Sequence, residues 1–481
     1  MKAALLFGLM TVASANICAD PDATRDEYIE GLCCSRECAG AVCSADTECV
    51  SGSCLEKCCS VLDVNCATCN DEGSCVSCKP DFSLLGAFHP DAGTFTIRDA
   101  ELTGTANSDF GVAMSVSADG TIVAIGSPFY SNGIGRVQVY VWNPSTSKWE
   151  PRGLPIDGDT GERQGGELDL NDDGTVLALG NYRHSSSQGR VRVYDWSGST
   201  WVPRVDIVGD KSYGYMGRGV SLSSDGSLLA VSEIQGWATY QNRGEVKVYK
   251  WSGSSWQQRG KTIGGHTSEH WFGLDLSING DGTKLAIISG MYNSEYSYGD
   301  EGYVDGVYVY SWVNNDWGDL KKIEDLYYPT AVDLSTDGST VIVGSEASSE
   351  HISGGGNAQI YEVKATGLVQ RGSDLNDYVT QAQDTMIGSS VSVNADGSVV
   401  SVGAKGVNTY AGHLAVFDWT GTVWRTRQEF NGAAGANLGK SVSMSQDGSE
   451  LAFSSNTDKV QIHGWDSECG ASATACCLAS S

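Results

Sequence analysis

Between about Phe95 and Trp465, short runs of apolar residues alternate with polar ones at a period of two, and the runs come in a fixed order. The stretch Gly217–Trp256 shows the unit. Val-Ser-Leu-Ser is followed by Asp225-Gly226, a second apolar run (Leu-Leu-Ala-Val-Ser), a long polar and aromatic segment, a third run (Glu245–Trp251) and a Ser-Gly turn. Period-two alternation predicts half-buried strands, and Asp-Gly between two such runs predicts a type I′ hairpin with both central residues at positive φ. The phrase occurs seven times. Its turns begin at Asp119, Asp173, Asp225, Asp281, Asp337, Asp396 and Asp447, at spacings of 51 to 59 residues. Three or four strands at that period predict an all-β fold, a β-propeller of seven blades.

A fourth strand follows the third as residues 149–158, 201–209 and 256–265, and more loosely near Trp317, Val369 and Trp424. The seventh repeat stops after Val460–Trp465. The missing copy stands at the front, where Phe95–Gly104 carries the same apolar-x-Gly beat, so the N-terminal segment is expected to supply the outer strand of the last blade and leave no open seam. Strand two carries Ala124, Ala178, Ala230, Ala286 and Ala452 at one position, with Ile342 and Ser401 in the other blades, as expected where sheets approach closely. Trp142, Trp196, Trp251, Trp312, Trp419 and Trp465 end strand three and Trp149, Trp201, Trp256, Trp317 and Trp424 open strand four, where splayed blades need large rings. Trp237 and Trp271 are left over from this framework.

The flanks differ in composition. Residues 1–15 combine one Lys, an apolar run and Ala13-Ser14-Ala15, the form of a secretory signal that is too short to span a bilayer. No later segment is long and apolar enough for a membrane span, and no N-glycosylation sequon is open. Residues 16–90 hold 13 of the 16 cysteines, and the other three, Cys469, Cys476 and Cys477, lie in the tail 467–481. Behind a signal peptide this clustering predicts a disulfide framework, with Cys66, Cys69, Cys75 and Cys78 among the partners; zinc is the rival reading of the two Cys-x-x-Cys pairs. Thirteen and three are both odd, so full pairing within the chain requires a bridge from head to tail. The expected order is a signal peptide (1–15), a cysteine-rich module (16–90), a propeller (91–466) and a cysteine-containing tail (467–481), secreted to the extracellular space. The formal charge of −28 disfavours nucleic acid and anionic lipid as partners.

Phe110-Gly111, Gly126-Ser127-Pro128 and Gly135-Arg136-Val137-Gln138-Val139-Tyr140 resemble the FG-GAP repeats of the integrin α-subunit propeller, over roughly residues 95–466. The run from Cys66 to Leu85 resembles furin-like cysteine-rich repeats. The first resemblance implies an extracellular adhesion or binding role and calcium in an acidic loop between strands one and two. Only Asp169-x-Asn171-x-Asp173-Gly174 approaches that loop, with Leu177 where a later carboxylate belongs, so no cofactor is expected, and calcium at that loop is the alternative.

The loops from strand two to strand three and from blade to blade share one face. They carry Phe129, Tyr130, Tyr182, His184, Tyr213, Tyr215, Trp237, His266, His270, Trp271, Tyr292, Tyr296 and Tyr298. Rings beside carboxylates suit stacking on sugars and contacts with proteins. Trp237, Trp271, His266, His270, Tyr292, Tyr296 and Tyr298 are the candidate binding residues for an extracellular glycan or protein. No nucleophile elbow, P-loop, dinucleotide or sialidase motif is present, and His266-x-x-x-His270 lacks the glutamate of a metalloprotease helix. A secreted carbohydrate-active enzyme, hydrolase or lyase, using carboxylates on the same face is the alternative.

Overall fold

The computed structural model describes residues 66–69, 75–78, 93–234, 244–265, 271–290, 306–324, 326, 329–346, 355–376 and 385–467. They fall into two compact units, 1–96 with 465–481, and 97–464. In the first, Cys66–Cys69 pairs antiparallel with Cys75–Cys78, Cys66 opposite Cys78 and Cys69 opposite Cys75. The Phe95 ring meets Trp465 edge-on, with centroids 5.1 Å apart.

The second unit is a seven-bladed β-propeller. Blade one runs Met114–Val116, Ile122–Ser127, Arg136–Asn143 and Lys148–Pro151 in spatial as well as chain order, and blades two to six repeat that meander. In blade seven, Leu102–Thr103 pairs with Val460 and Lys459, and the Arg98 amide donates to Ile462 O. Blade one meets blade seven through apolar packing: Val123, Ile125 and Met114 share a core with Ala452, Val460 and Ile462. The core is thus laid between blades as a series of wedges. The strand-two alanines, Ile342 and Ser401 are all fully buried.

Three local features depart from the sequence expectation or add to it. The Asp-Gly turns are not type I′: only their glycines take positive φ, 62 to 72°. Each Gly amide bonds back three residues, as Gly120 N does to Ser117 O, and the Asp carboxylate caps the amide two residues on, as Asp119 Oδ1 does for Thr121 N at 3.0 Å. That cap holds the aspartate on the ordinary side of φ, giving a type I turn ended by a left-handed glycine. Secondly, the outer strand of blades one to three is broken in two; in blade one Lys148–Pro151 and Ile156–Asp157 both pair with the third strand. The break falls at Arg152-Gly153, where Gly153 has φ +82° and a Cβ would stand 2.8 Å from Trp196.

The third feature is a blade-to-blade latch. The arginine at the break, and its counterpart Arg371 in blade five, stacks over a tryptophan of the next blade: Arg152 over Trp196, Arg204 over Trp251, Arg259 over Trp312 and Arg371 over Trp419, at 4.1 to 4.9 Å. Its guanidinium reaches the next Asp-Gly carbonyl, as in Arg204 to Gly226 O at 3.0 Å and Arg371 to Gly397 O at 2.8 Å. The tryptophans face each other in pairs across strands three and four, Trp142 with Trp149 through Trp419 with Trp424, at centroid separations of 5.1 to 5.5 Å. Ring and guanidinium together fill the outer splay that sequence assigned to tryptophan alone.

Candidate functional site

Strand one of each blade lines the axis, and at one level the seven residues are Ser115, Asp169, Ser221, Ser277, Asp333, Ser392 and Ser443. Six of these side chains tie their blade to the next by accepting from its inner-strand amide. Ser115 Oγ takes Leu170 N (3.0 Å), Asp169 Oδ2 takes Leu222 N (2.7 Å), Ser221 Oγ takes Ile278 N (3.1 Å), Ser277 Oγ takes Leu334 N (3.1 Å), Asp333 Oδ2 takes Val393 N (2.9 Å) and Ser443 Oγ takes Val116 N (3.1 Å). One turn lower, backbone bonds repeat the linkage around the ring. Ala118 N donates to Asp172 O, Asp172 N to Ser224 O, Ser224 N to Gly280 O and Gly280 N to Thr336 O. Asp337 N then donates to Ala395 O, Ala395 N to Gln446 O and Gln446 N back to Ala118 O. They surround an axial cavity of about 270 Å³.

Where aspartate replaces serine, the preceding blade's serine donates to it: Ser115 to Asp169 at 2.9 Å and Ser277 to Asp333 at 3.0 Å. Burial lifts the Asp169 carboxyl to about 7, with the charge of Asp333 adding to the effect, and lifts Asp333 to about 6. Two residues earlier along strand one, burial raises Glu167 to about 7, opposed by its ion-pair partner Arg218 and reinforced by Asp275. Asp275 is raised to about 6 by burial, although it accepts amides from Val332 and Leu276, each at 2.9 Å. Four carboxyl groups with elevated proton affinity therefore gather about the axis.

The turn aspartates behave in the opposite sense. Desolvation works against their charge, but backbone and side-chain donors from the turn outweigh it and hold Asp119, Asp173, Asp225, Asp281, Asp396 and Asp447 below the ordinary value. The loop considered for calcium is occupied in this way: Asn171 Oδ1 accepts from Thr175 N and Val176 N, Asp173 Oδ1 from Thr175, and Asp169 from Leu222 and Ser115. Among the described residues no group of three or more His, Cys, Asp or Glu could hold a metal ion.

The long-loop side carries strain and exposed rings. Ser131 and Asn132 in blade one, Ser185–Ser187 in blade two and Asn408–Tyr410 in blade six take left-handed φ of 48 to 60° at equivalent places, as do Arg163 and Tyr215 in the blade-to-blade loops. Each such residue costs roughly 1–2 kcal/mol unless its surroundings hold it. The two loop classes hold each other: Arg163 N donates to Gly133 O, Tyr215 N to Ser187 O and Asn437 N to Tyr410 O. Beneath them in blade two, buried Glu162 accepts from Asn181 Nδ2 at 2.9 Å and lies 2.5 Å from His184 Nδ1, with Arg190 at 2.7 Å. Above them Arg163 stacks on Phe129 (4.4 Å), Arg136 on Tyr130 (3.8 Å), and Arg183 and Arg218 on Tyr182 (5.8 Å each), while Tyr182 and Tyr215 lie 6.4 Å apart.

Of the binding residues expected from sequence, Trp271 is described: half-buried, it opens the inner strand of blade four opposite Gly290. Trp237, His266, His270, Tyr292, Tyr296 and Tyr298 lie outside the described residues, as do Cys469, Cys476 and Cys477. Sequence reasoning passed over Arg163, Arg183 and Arg218. Their signal was arginine beside an aromatic in a loop (Tyr182-Arg183) within a chain that has few cations to spare. It also passed over the axial carboxyl groups, whose signal was aspartate at a serine position of the repeat. No family model matches the chain, and no curated protein matches it.

Proposed function

We propose that this chain is a secreted extracellular binding or adhesion protein that recognises a glycan or protein through the long-loop face of its propeller. The observation that carries the reading is the contrast between the two sides of the ring. The Asp-Gly side consists of short turns whose donors and acceptors are consumed internally. The long-loop side holds aromatic and charged side chains outward on strained backbone, the arrangement expected where a ligand is to be met. In this reading residues 1–15 direct secretion, the cysteine-rich head is disulfide-bonded, and the segment 95–104 acts as the outer strand that locks blade seven. The FG-GAP resemblance supports the same role by analogy. Arg98 fits it too: its guanidinium lies 5.6 Å from the Trp142 ring, as Arg152 does over the blade-two tryptophan.

The full-length protein, screened against glycans and cell-surface proteins, should bind without releasing reducing ends. Trp271→Ala and Tyr296→Ala should weaken that binding at unchanged melting temperature; unaltered affinity would place the ligand elsewhere. One observation favours a second reading as a carbohydrate-active enzyme. The Glu167 carboxyl, at about 7, has the proton affinity of a general acid, and Asp275 lies close enough to raise it. Turnover of a polysaccharide abolished by Glu167→Gln would establish that reading in place of the first.

A further inference from the structure

We propose that the rim formed by the long loops of blades one and two and the loop that joins them binds an anionic polysaccharide, a chain of uronate or sulfated pyranoses. Arg163 and Arg183 would read its charge, and Phe129 and Tyr182 would stack on its rings. The proposal rests on the binding reading above and names its ligand class.

The arginines of this rim divide into two groups. Arg136 is paired with Asp157 at 2.6 Å, Arg192 with Asp159 at 2.7 Å, Arg190 with Glu162 and Asp159, and Arg218 with Glu167. Arg163 and Arg183 make no ion pair among the described residues; each lies over an aromatic ring instead. Phe129 is nonetheless 41 % exposed, and Arg183 is exposed. The pieces converge on one spot. A Cβ at Gly166 would stand 3.6 Å from Arg163 O, 3.6 Å from the Tyr182 ring and 3.8 Å from Pro128, so the floor between the two stacks is a residue with no side chain.

A guanidinium lying on a ring has its plane fixed, while its N–H edges still point outward. That edge matches a carboxylate or sulfate in two parallel bonds. The neighbouring rings suit the apolar C–H face of a pyranose. Rings separated by cations, rather than one continuous apolar patch, fit a sugar chain better than the desolvated centre of a protein interface. The net charge of −28 opposes a polyanion at long range, but at physiological ionic strength fields fade beyond about 8 Å, so the local cations govern contact.

The test is titration calorimetry of the full-length protein with an oligogalacturonate, a heparin-derived oligosaccharide and a neutral cello-oligosaccharide. At least one of the two anionic probes should bind, more weakly as salt rises, and which one binds tells carboxylate from sulfate recognition. Arg163→Gln and Arg183→Gln should each weaken that binding about tenfold at unchanged melting temperature. Lys148→Gln, an exposed charge on the opposite side, should not. Neutral and anionic probes binding alike, with the arginine variants unaffected, would overturn this proposal and leave glycan recognition standing. Loss of binding in Trp271→Ala alone would keep the face and discard the rim. Silence from every saccharide, with a protein captured through the same face, would overturn the proposal and keep the broader reading in its protein form.

Discussion

Replacing Asp169 by asparagine should stabilise the protein at neutral pH and leave it unchanged in mild acid. The carboxyl borders the axial cavity half-buried, and burial lifts it from 3.8 to about 7. Between those values the folded protein keeps a proton that the unfolded chain has released. Its contribution to stability is therefore complete below about pH 4 and declines as the pH climbs to about 7. Each tenfold in proton affinity is worth about 1.4 kcal/mol, which sets a ceiling of about 4 kcal/mol on the loss. Water reaching the carboxylate from the cavity screens part of that, so about 2 kcal/mol is expected. An asparagine retains an acceptor for Leu222 N and turns its amide toward Ser115 Oγ, without a charge. Urea denaturation of both proteins at about pH 4.5 and about pH 7.5 measures the difference. The gap should open only at the higher pH. A gap that does not widen, or a variant that is the weaker one near neutrality, would mean that the folded state holds an ionised Asp169 and would refute the argument.

The other predictions address the seams of the ring. Asp458 is buried and accepts from Asn107 N (2.5 Å), Ser108 N (2.9 Å), Ser108 Oγ (3.0 Å) and Phe110 N (3.1 Å), joining the last blade to the entry of the first. Asp458→Ala strands those donors and should cost about 3 kcal/mol or more, seen as a lowered midpoint in thermal circular dichroism. Gly180→Ala drives a Cβ into the Gly217 carbonyl oxygen of the next blade and should cost about 2–4 kcal/mol. Gly264→Ala, with nothing within 4 Å of its Cβ, should stay within about 0.5 kcal/mol in the same melt.

Much of the ring was legible in the chain because its rules are local and repeated. Strand alternation, the Asp-Gly punctuation and the placing of alanine and tryptophan each depend on residues within one blade, and seven copies let the period be counted. The arginine latch was written there too, as the beat Trp149/Arg152, Trp201/Arg204 and Trp256/Arg259. Its meaning is contact with the following blade, and no single repeat displays that.

Other features depend on what stands opposite. The Asp-Gly dipeptide could not reveal that its carboxylate caps the turn and keeps the aspartate at negative φ, because dipeptide preference says nothing of the donor two residues on. Ser115 and Asp169 look like ordinary polar alternates until closure of the ring brings each beside a neighbour's amide. Only then does burial, acting with the charge of Asp333, separate Asp169 from the turn aspartates, whose carboxyl groups shift the other way. Arg163 and Arg183 likewise become distinct from Arg190 and Arg192 only through their surroundings, since which guanidinium meets a carboxylate and which meets a ring is set by loops from adjacent blades. The chain by itself determined the blade and the number of blades. Tertiary structure decided the electrostatics, because proton affinity and ion pairing depend on distances between residues about fifty positions apart in sequence, fixed only when neighbouring sheets are packed.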